Sequence, residues 1–501
     1  MLILALALGL LPQSAVPLGP DPAAVRADRL EATLQALCAE PRFAGSPGGA
    51  RAAAYAAQVF AEAGWRVEQP RYDCFLPRQT AQSLRMRVGN GAWVELSLEE
   101  PAQSGDPSSG ASKVPPMLGL CAAGEAEGMV FYAGYGTEPE FAELRARHGS
   151  ACDGAIALIR YGMLFRGMKL AHAEAAGFAG ALLYTDADDD GPERGPPLPD
   201  GPWRPLTGIQ RGSVNNADGD PLTPGWAALP GAMRLERAEI SGLVKIPGLP
   251  ISQANATLLM AGAERTLGPL GTTAALLVRQ DEALVPIENV IAWAEGSDLP
   301  DEWIILGAHR DSWGPGAVDN GSGSTVVLEI ARVIGEALER GWRPRRTLVL
   351  ATWDAEEWGL VGSTEWVEQY GVLVRQRAVA YLNLDVVASG PDFGATCTPG
   401  LVEVLRAASA AEGLTAPAKL GTPGGGSDHV PFLELGGVEV LTYGFSGGSG
   451  TYHSSLDTPW VVKHFLDPEF VHHARAASLG VRLATMLAND EIPVNGVRGW
   501  L

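Results

Sequence analysis

The stretch WIILGAHRDSWGPGAVDNGSG (303–323) begins as an uninterrupted apolar run and then turns polar and glycine-rich. An apolar run of this length is typical of a strand that is covered on both faces. His309 follows the run directly, and Asp319 stands at the start of the next predicted helix, about 320–340. A helix N-terminus stabilises a carboxylate. The stretch therefore indicates a buried strand that delivers chemically active residues at its carboxyl end.

Similar runs recur around this stretch. Strands are predicted at 290–294, 303–308, 347–352, 379–384 and 438–443, and helices at about 320–340, 359–370, 399–412 and 467–487. Continuous apolar strands alternating with amphipathic helices imply an α/β fold, with a mostly parallel sheet sandwiched by helices. Such sheets carry their sites at the carboxyl ends of the strands.

Histidines and acidic residues follow separate predicted strands, so they should meet at one sheet edge. Each alone is usually a loop or turn residue, but the joint pattern favours a zinc centre. Asp319 would bridge two ions about 3.5–4 Å apart. Glu356, beside a ligand but not itself one, is the predicted general base. The predicted metal ligands are His309, Asp319, Glu357, Asp385 and His453.

Two further aspartates stand close to the ligand histidines in the sequence. Asp311 lies two residues after His309, and Asp457 lies four residues after His453. Each is predicted to accept a hydrogen bond from the outer ring nitrogen of its histidine, although each alone also fits a turn.

The chain is too long for one ordinary core, at 501 residues, and its composition predicts a folded protein. Residues 80–285 contain short β-like runs among many Gly, Pro and Asp residues, which predicts an inserted β-rich domain. Residues 21–79 and 286–501 are then the two parts of the α/β domain. Residues 1–20 are predicted to be a signal peptide, because the apolar run 2–11 is too short to span a membrane.

Charge and cysteine content narrow the functional classes. The sequence has 37 Lys and Arg against 58 Asp and Glu, and a surface this acidic repels phosphate backbones. Nucleic acid is therefore not an expected partner. None of the five cysteines forms a CxxC pair, so a structural zinc–cysteine site is not expected. The signal segment predicts a secreted or periplasmic protein without a membrane span in its mature form, although the usual basic residues are missing.

Four motifs resemble those of glutamate carboxypeptidase II and its relatives, within the zinc aminopeptidase/carboxypeptidase superfamily. These motifs are HRDSWGPGAVDNGSG (309–323), TWDAEEWGLVGSTEW (352–366), NLD (383–385) and YHSSLDT (452–458). The resemblance runs from about residue 25 to 490. Segments 162–167 and 219–226 extend it into the predicted insertion, which resembles the protease-associated (apical) domain of that family.

The resemblance implies a zinc exopeptidase fold and a co-catalytic di-zinc metallopeptidase. It implies one zinc held by His309 and Glu357 and the other by Asp385 and His453, with Asp319 shared. The transferrin-receptor branch of the family has lost such ligands, whereas this sequence retains them together with Glu356. An active enzyme is therefore expected.

The resemblance also implies residues that bind substrate and a structural ion. Arg166 matches an arginine that clamps the terminal carboxylate of the substrate, a task suited to a bidentate guanidinium. Tyr452 matches an assisting tyrosine. The other predicted substrate-binding positions are Gly359, Leu360, Ser213 and Ser427, with His429 expected behind them rather than as a ligand. A structural calcium is implied at Thr223, Trp226, Glu365 and Glu368.

Several departures from the family leave the substrate open. Ser213 replaces a pocket asparagine, and residues 445–451 lack the arginines that favour acidic residues. The sequence also lacks the C-terminal helical domain of the family, so neither glutamate specificity nor the family dimer is expected. We expect carboxypeptidase-like cleavage of short peptides or N-acyl dipeptides. The alternatives are an aminopeptidase with the same site, a hydrolase of a non-peptide amide, and a catalytically silent, receptor-like binding module.

Overall fold

The computed structural model describes residues 19–111, 114–417 and 420–489, which form two large sheets with packed helices. Residues 1–18 of the predicted signal peptide lie outside the described residues. No helix within the described ranges has the length and apolarity needed to cross a membrane.

The strands are given in chain order. They are β1 (Arg66–Glu68), β2 (Arg71–Phe75), β3 (Arg78–Val88), β4 (Val94–Glu95), β5 (Leu118–Gly119), β6 (Gly124–Tyr132), β7 (Ile156–Arg160), β8 (Gly180–Tyr184), β9 (Gly212–Ser213), β10 (Gly248–Ile251), β11 (Gly268–Asp281), β12 (Leu284–Glu288), β13 (Val290–Ala294), β14 (Leu299–His309), β15 (Arg346–Trp353), β16 (Ala378–Asn383), β17 (Asp392–Cys397) and β18 (Glu439–Ser446).

The helices are given in the same way. They are α1 (Ala27–Leu37), α2 (Pro47–Glu62), α3 (Pro107–Ala111), α4 (Glu138–His148), α5 (Arg166–Ala175), α6 (Ala187–Asp190), α7 (Gln253–Met260), α8 (Gly323–Glu339), α9 (Val361–Arg377), α10 (Val402–Ala411), α11 (His429–Glu434), α12 (Pro459–Val461) and α13 (Val471–Asn489).

The first sheet has seven strands in the order β1-β13-β15-β14-β16-β18-β17. The predicted α/β fold is confirmed, but the sheet is mixed rather than mostly parallel. Strands β15, β14, β16 and β18 are parallel, whereas β1, β13 and β17 pair antiparallel with their neighbours. A parallel crossover needs about a dozen residues. The link 295–298 between β13 and β14 is too short for one, so β13 has to run in the opposite direction.

The central strands are apolar throughout because both faces of the sheet are covered. Ile304 and Leu306 of β14 face one core with α1, α2, α8 and α13, and Ile305 faces the other core with α9 and α11. Full burial of each such side chain contributes about 1.5–3 kcal/mol. This burial on both faces fixes the strand ends that carry the candidate site.

The second sheet also has seven strands, in the order β10-β8-β7-β6-β11-β3-β4. Its strands lie between Arg78 and Asp281, and we refer to residues 78–281 as the insert. Strands β2 and β12 lie directly before and after the insert in the sequence and pair with each other as a two-stranded ribbon. The chain enters and leaves the insert through this ribbon.

All five cysteines are free and buried, so none is joined in a disulfide. They are Cys38, Cys74, Cys121, Cys152 and Cys397. Burial raises the pKa of the Cys121 thiol to about 12 and that of Cys397 to about 11. The two-sheet fold is therefore held by packing and polar contacts rather than by covalent cross-links.

The N-terminus of α13 is capped by a buried carboxylate, and this makes stability depend on pH. Asp467 Oδ2 accepts hydrogen bonds from the backbone N–H groups of His472 and His473, 3.0 Å each, and lies 2.7 Å from Nδ1 of His473. Burial raises the pKa of Asp467, but the bonds from His473 outweigh it and hold that pKa below its ordinary value.

We expect Asp467→Asn to lower the free energy of unfolding by about 1.5–3 kcal/mol at pH 7, the range for hydrogen bonds to a charged group. Because the folded pKa lies below the unfolded one, this stabilisation is present above about pH 4 and is lost as the pH falls further. Urea unfolding of both proteins between pH 7 and pH 3 measures the difference. Asp298→Asn, at a 56% exposed side chain, is the control; equal stabilities at pH 7 would contradict the assignment.

Candidate metal centre and substrate cleft

The predicted metal ligands converge at the carboxyl ends of the parallel strands. His309 is the last residue of β14, and Asp385 lies two residues beyond β16. Glu357 follows β15 in a tight turn, and His453 lies in the loop after β18. His309, Asp319, Glu357 and His453 are all buried, and Asp385 is partly buried.

Asp319 lies between the two histidines. Its Oδ1 is 3.3 Å from Nε2 of His309, and its Oδ2 is 3.1 Å from Nε2 of His453. Burial raises the pKa of Asp319, but hydrogen bonds from both histidines outweigh it and lower that pKa below its ordinary value. Asp319 was predicted to stand at the start of the next helix. It lies instead four residues before α8, in a non-helical conformation (φ −113°, ψ 103°). Each carboxylate oxygen therefore faces a different histidine.

The ligands form two groups around Asp319, and the pairing differs from the predicted one. His309 Nε2 lies 3.2 Å from Oδ1 of Asp385, and His453 Nε2 lies 2.9 Å from Oε2 of Glu357. Within each group the ligand atoms lie within 4.8 Å of one another. The pairing of His309 with Glu357 and of Asp385 with His453 was therefore wrong. One candidate metal position would have His309, Asp385 and Asp319, and the other would have His453, Glu357 and Asp319.

The donor set fits divalent cations of the zinc type. Each position combines one imidazole, one terminal carboxylate and the shared carboxylate of Asp319. Oε1 of Glu357 is buried without a hydrogen-bond partner, and burial raises the pKa of that carboxyl to about 7. A buried carboxylate oxygen without a partner is costly unless a cation approaches it. The residues therefore match the metal that their spacing predicts.

Glu356 stands beside the ligands and lines the same cleft. Its Oε2 is 3.7 Å from Nε2 of His309, and burial raises its pKa well above the ordinary value. The carboxylate of Asp311 accepts hydrogen bonds from the backbone N–H groups of Glu356, 3.0 Å, and Glu357, 3.4 Å. Asp311 also faces His309, whose Nδ1 is 3.1 Å from its carbonyl and 3.5 Å from its Oδ1. One aspartate thus orients a ligand and the predicted base.

The predicted role of Asp457 is corrected. Its carboxylate accepts hydrogen bonds from the backbone N–H groups of Val318 and Asp319, 2.9 Å each, and so holds the turn of the bridging ligand. Nδ1 of His453 lies instead 3.2 Å from the carbonyl of Arg211, in the insert. The orienting partner of His453 is therefore a backbone atom far away in the sequence.

Ser427, a predicted substrate-binding residue, contacts a predicted metal ligand. Its hydroxyl donates to Oδ2 of Asp385 over 2.6 Å and accepts from Nδ2 of Asn383 over 2.8 Å. Ser427 and Asn383 therefore hold a metal ligand in place. His429 contacts the carbonyl of Gly424 over 2.6 Å, and the ligand groups do not include it.

A cleft of about 580 Å³ opens over the metal centre. Five of the residues predicted to bind substrate line it, namely Arg166, Ser213, Gly359, Leu360 and Tyr452. Sequence reasoning missed other lining residues, of which Asn215, Asn216 and Asp218 lie two to five residues after Ser213. This cluster of Asn and Asp beside a predicted pocket residue was the signal that could have identified them. Phe165, Met168 and Val386 add apolar surface.

Arg166 begins α5 and its guanidinium lies against the backbone of β9. Nη1 is 3.5 Å from the carbonyl of Ser213, and Tyr452 lies beside it. Gly212 has φ +145°, and a Cβ there would lie 2.4 Å from the guanidinium carbon. A side chain at this position would therefore displace Arg166 from the cleft.

The residues predicted to bind calcium lie where α9 meets the insert. Glu365 accepts a hydrogen bond from the backbone N–H of Asp220 over 2.9 Å, and Glu368 accepts one from Gly225 over 2.8 Å. Burial raises the pKa of Glu365 to about 8 and that of Glu368 to about 7. Oγ1 of Thr223 and Oε2 of Glu368 are buried without partners, as oxygen ligands of a cation would be. The indole of Trp226 donates to the carbonyl of Met233 over 2.8 Å, which fixes the side chain of this residue beside the site.

Comparison with known proteins identifies the family. Residues 289–478 match peptidase family M28, and residues 117–217 match the PA domain. The sequence is 36% identical over 488 residues to a probable glutamate carboxypeptidase, LAMP1, of Arabidopsis thaliana, which covers 92% of this chain and 71% of that protein. The chain belongs to the glutamate carboxypeptidase family of M28 peptidases. The protein is thus a zinc metallopeptidase of the exopeptidase type.

Other relatives of the peptidase are named as aminopeptidases, which act at the N-terminal end of a substrate. Aminopeptidase NAALADL1 of Mus musculus is 35% identical, over 77% of this chain and 60% of that protein. Two solved structures share the fold at 20% identity. They are the zinc aminopeptidase BSAP of Bacillus subtilis, with a TM-score of 0.62 over 93% of this chain and 96% of that one, and a peptidase M28 precursor of Shewanella amazonensis, with 0.64 over 93% and 94%.

Proposed function

We propose that the peptidase is a co-catalytic di-zinc exopeptidase that removes the C-terminal residue of short peptides or N-acyl dipeptides. The observation that carries this proposal is the position of Asp319, whose two oxygens face two separate histidine–carboxylate pairs. A carboxylate that bridges two cations is characteristic of two-metal hydrolases. A silent receptor-like module would have no need of this complete set of ligands.

The side chains around the cleft can carry the chemistry of peptide hydrolysis. When bound, the two zinc ions polarise the scissile carbonyl and lower the pKa of the attacking water. Glu356 accepts a proton from that water and passes it to the leaving amine. Asp311 keeps the backbone of Glu356 in place for both transfers.

Arg166 supports cleavage at the C-terminal end. Apart from histidines, it is the one cationic side chain lining the cleft among the described residues. A guanidinium binds a carboxylate through two parallel hydrogen bonds and keeps its charge at any physiological pH. A free C-terminus is therefore the substrate group that best matches this part of the cleft.

We expect Arg166→Ala to raise KM by about 10- to 100-fold for an N-acyl dipeptide with a free C-terminus, because hydrogen bonds to a charged group are worth about 1.5–3 kcal/mol. The same dipeptide as a C-terminal amide should be a poor substrate of both proteins. Arg194→Ala, outside the residues that line the cleft, is the control. An unchanged KM for the free acid would remove the basis of the carboxypeptidase assignment.

One observation favours an aminopeptidase as the second candidate. Asp218 lines the cleft, and its carboxylate could pair with the free amine of a substrate. Dipeptides blocked at either end distinguish the two functions. A carboxypeptidase cleaves the N-acyl form and spares the C-terminal amide, whereas an aminopeptidase does the reverse. A digest of a peptide library read by mass spectrometry would also reveal hydrolysis of non-peptide amides if acyl-amino acids are included.

We also propose that calcium binds between Thr223 and Glu368, where α9 meets the insert. The buried oxygens without partners in this region support the assignment. Export from the cytoplasm is proposed from the apolar run 2–11 alone.

A further inference from the structure

The loop that carries His453 is fastened to the insert on the side that precedes the histidine. The backbone N–H of Gly450 donates to the carbonyl of Pro202 over 2.9 Å, and Arg204 donates to the carbonyl of Tyr452 over 2.8 Å. His453 itself has φ +56°, a conformation that costs free energy for a residue with a side chain. External contacts are therefore needed to hold this loop in its observed shape.

Arg211 holds His453 at both its backbone and its ring. The N–H of Arg211 donates to the carbonyl of His453 over 2.9 Å, and Nδ1 of His453 lies 3.2 Å from the carbonyl of Arg211. The second contact requires the proton on Nδ1 and so leaves Nε2 free to face Asp319 and Glu357. The backbone of Arg211 thus sets the tautomer of a metal ligand.

A buried ion pair fixes Arg211 in turn. Its guanidinium is 2.7 Å from Oε2 of Glu100, and the side chains are 1% and 2% exposed. The same carboxylate accepts hydrogen bonds from the backbone N–H groups of Ile209, over 2.8 Å, and of Ser455, over 3.1 Å. The remaining guanidinium donors reach the carbonyls of Val114 and Pro115. Glu100 therefore joins the two chain segments on either side of the contact between Arg211 and His453.

The other ligand histidine has no such dependence. His309 ends a central strand, and its Nδ1 faces Asp311, two residues further along the same segment. The two metal positions therefore differ in what orients their imidazoles. One relies on the first sheet, and the other relies on the insert.

We propose that Glu100 and Arg211 are positioning residues for the metal position of His453 and Glu357, so that the insert controls the occupancy of one metal position and not the other. This inference depends on the proposed two-metal function. Loss of the ion pair frees the segment 209–211, and with it the orientation of His453, while His309, Asp385 and Asp319 keep their arrangement. Weakening of about 10- to 100-fold in zinc affinity at one position is the scale known for partners of metal-binding histidines.

The test compares metal binding by the full chain and by the variants Glu100→Gln and Arg211→Lys. Zinc content is measured after dialysis against a series of free-zinc buffers, and cobalt substitution followed by visible spectroscopy reports the coordination of each ion. The wild type is expected to hold two ions where each variant holds one, and excess zinc should restore the second. The matched control is Glu99→Gln, at the exposed glutamate next to Glu100.

Double variants identify the position that is weakened. Glu357→Ala already damages the metal position of His453, so adding Glu100→Gln should lower the zinc affinity little further. Asp385→Ala damages the other position, so adding Glu100→Gln should lower the affinity for the remaining ion by the full factor. Equal weakening at both positions, or two tightly held ions in both single variants, would overturn the inference. Fewer than two ions in the wild type would instead refute the two-metal function itself.

Discussion

Replacement of Glu356 by glutamine is expected to lower kcat by at least about 10²-fold while both zinc ions stay bound, since general acid–base catalysis contributes about 10²–10⁴-fold. Glutamine has nearly the same shape but cannot accept and return a proton. Glu356 lies outside both ligand groups, so the metal content should not change. Steady-state kinetics on an N-acyl dipeptide, together with zinc analysis of the same sample, measures both quantities.

The control for this variant is Glu403→Gln, at a glutamate with an 83% exposed side chain on α10. Its kinetics should match those of the wild type. A Glu356→Gln enzyme with full activity would exclude Glu356 as the base, whereas an inactive enzyme that has also lost zinc would indicate that Glu356 is a ligand.

Replacement of Asp319 by asparagine is expected to abolish activity by a different route. An amide can no longer present a charged oxygen to each of the two cations, so affinity at both positions should fall by more than the roughly 10- to 100-fold seen when only a supporting residue is lost. Without metal the variant should be less stable than the wild type at pH 7, because the hydrogen bonds from both histidines favour the charged carboxylate. Zinc should stabilise the wild type and not the variant.

Thermal unfolding with and without zinc, combined with metal analysis, separates these effects. Asp301→Asn, at a 77% exposed aspartate, should behave like the wild type in every respect. If the Asp319→Asn variant still held two zinc ions as tightly as the wild type, Asp319 would not be the bridge.

The ends of the strands were predictable because burial on both faces makes a strand apolar throughout, and the first polar residue then marks its end. His309 after β14 and Asp385 after β16 follow this pattern. The pairing of the ligands was not predictable in the same way. Strand β14 pairs with both β15 and β16, so adjacency allows either Glu357 or Asp385 as the partner of His309. The length and direction of the turns decide between them.

The orientation of His453 could not be predicted because its partner is a backbone carbonyl 242 residues away in the sequence. An aspartate such as Asp457 is visible in the sequence as a possible hydrogen-bond acceptor. It was predicted to be the partner of His453 only because the two residues are close in sequence. Its actual partners, the N–H groups of Val318 and Asp319, are backbone atoms as well. In contacts of this kind one partner is a backbone group, which every residue type can supply. Only the final fold therefore determines which residue it is.

The order of the segments along the chain has a consequence for how the molecule is made. Domains completed first during synthesis generally fold first. The insert, residues 78–281, is continuous and precedes every metal ligand, whereas His453 emerges after β18 has been made. We therefore expect the insert, with Glu100 and Arg211, to fold before the last ligand emerges. The catalytic centre would then be completed late, when one loop docks onto a surface that has already formed.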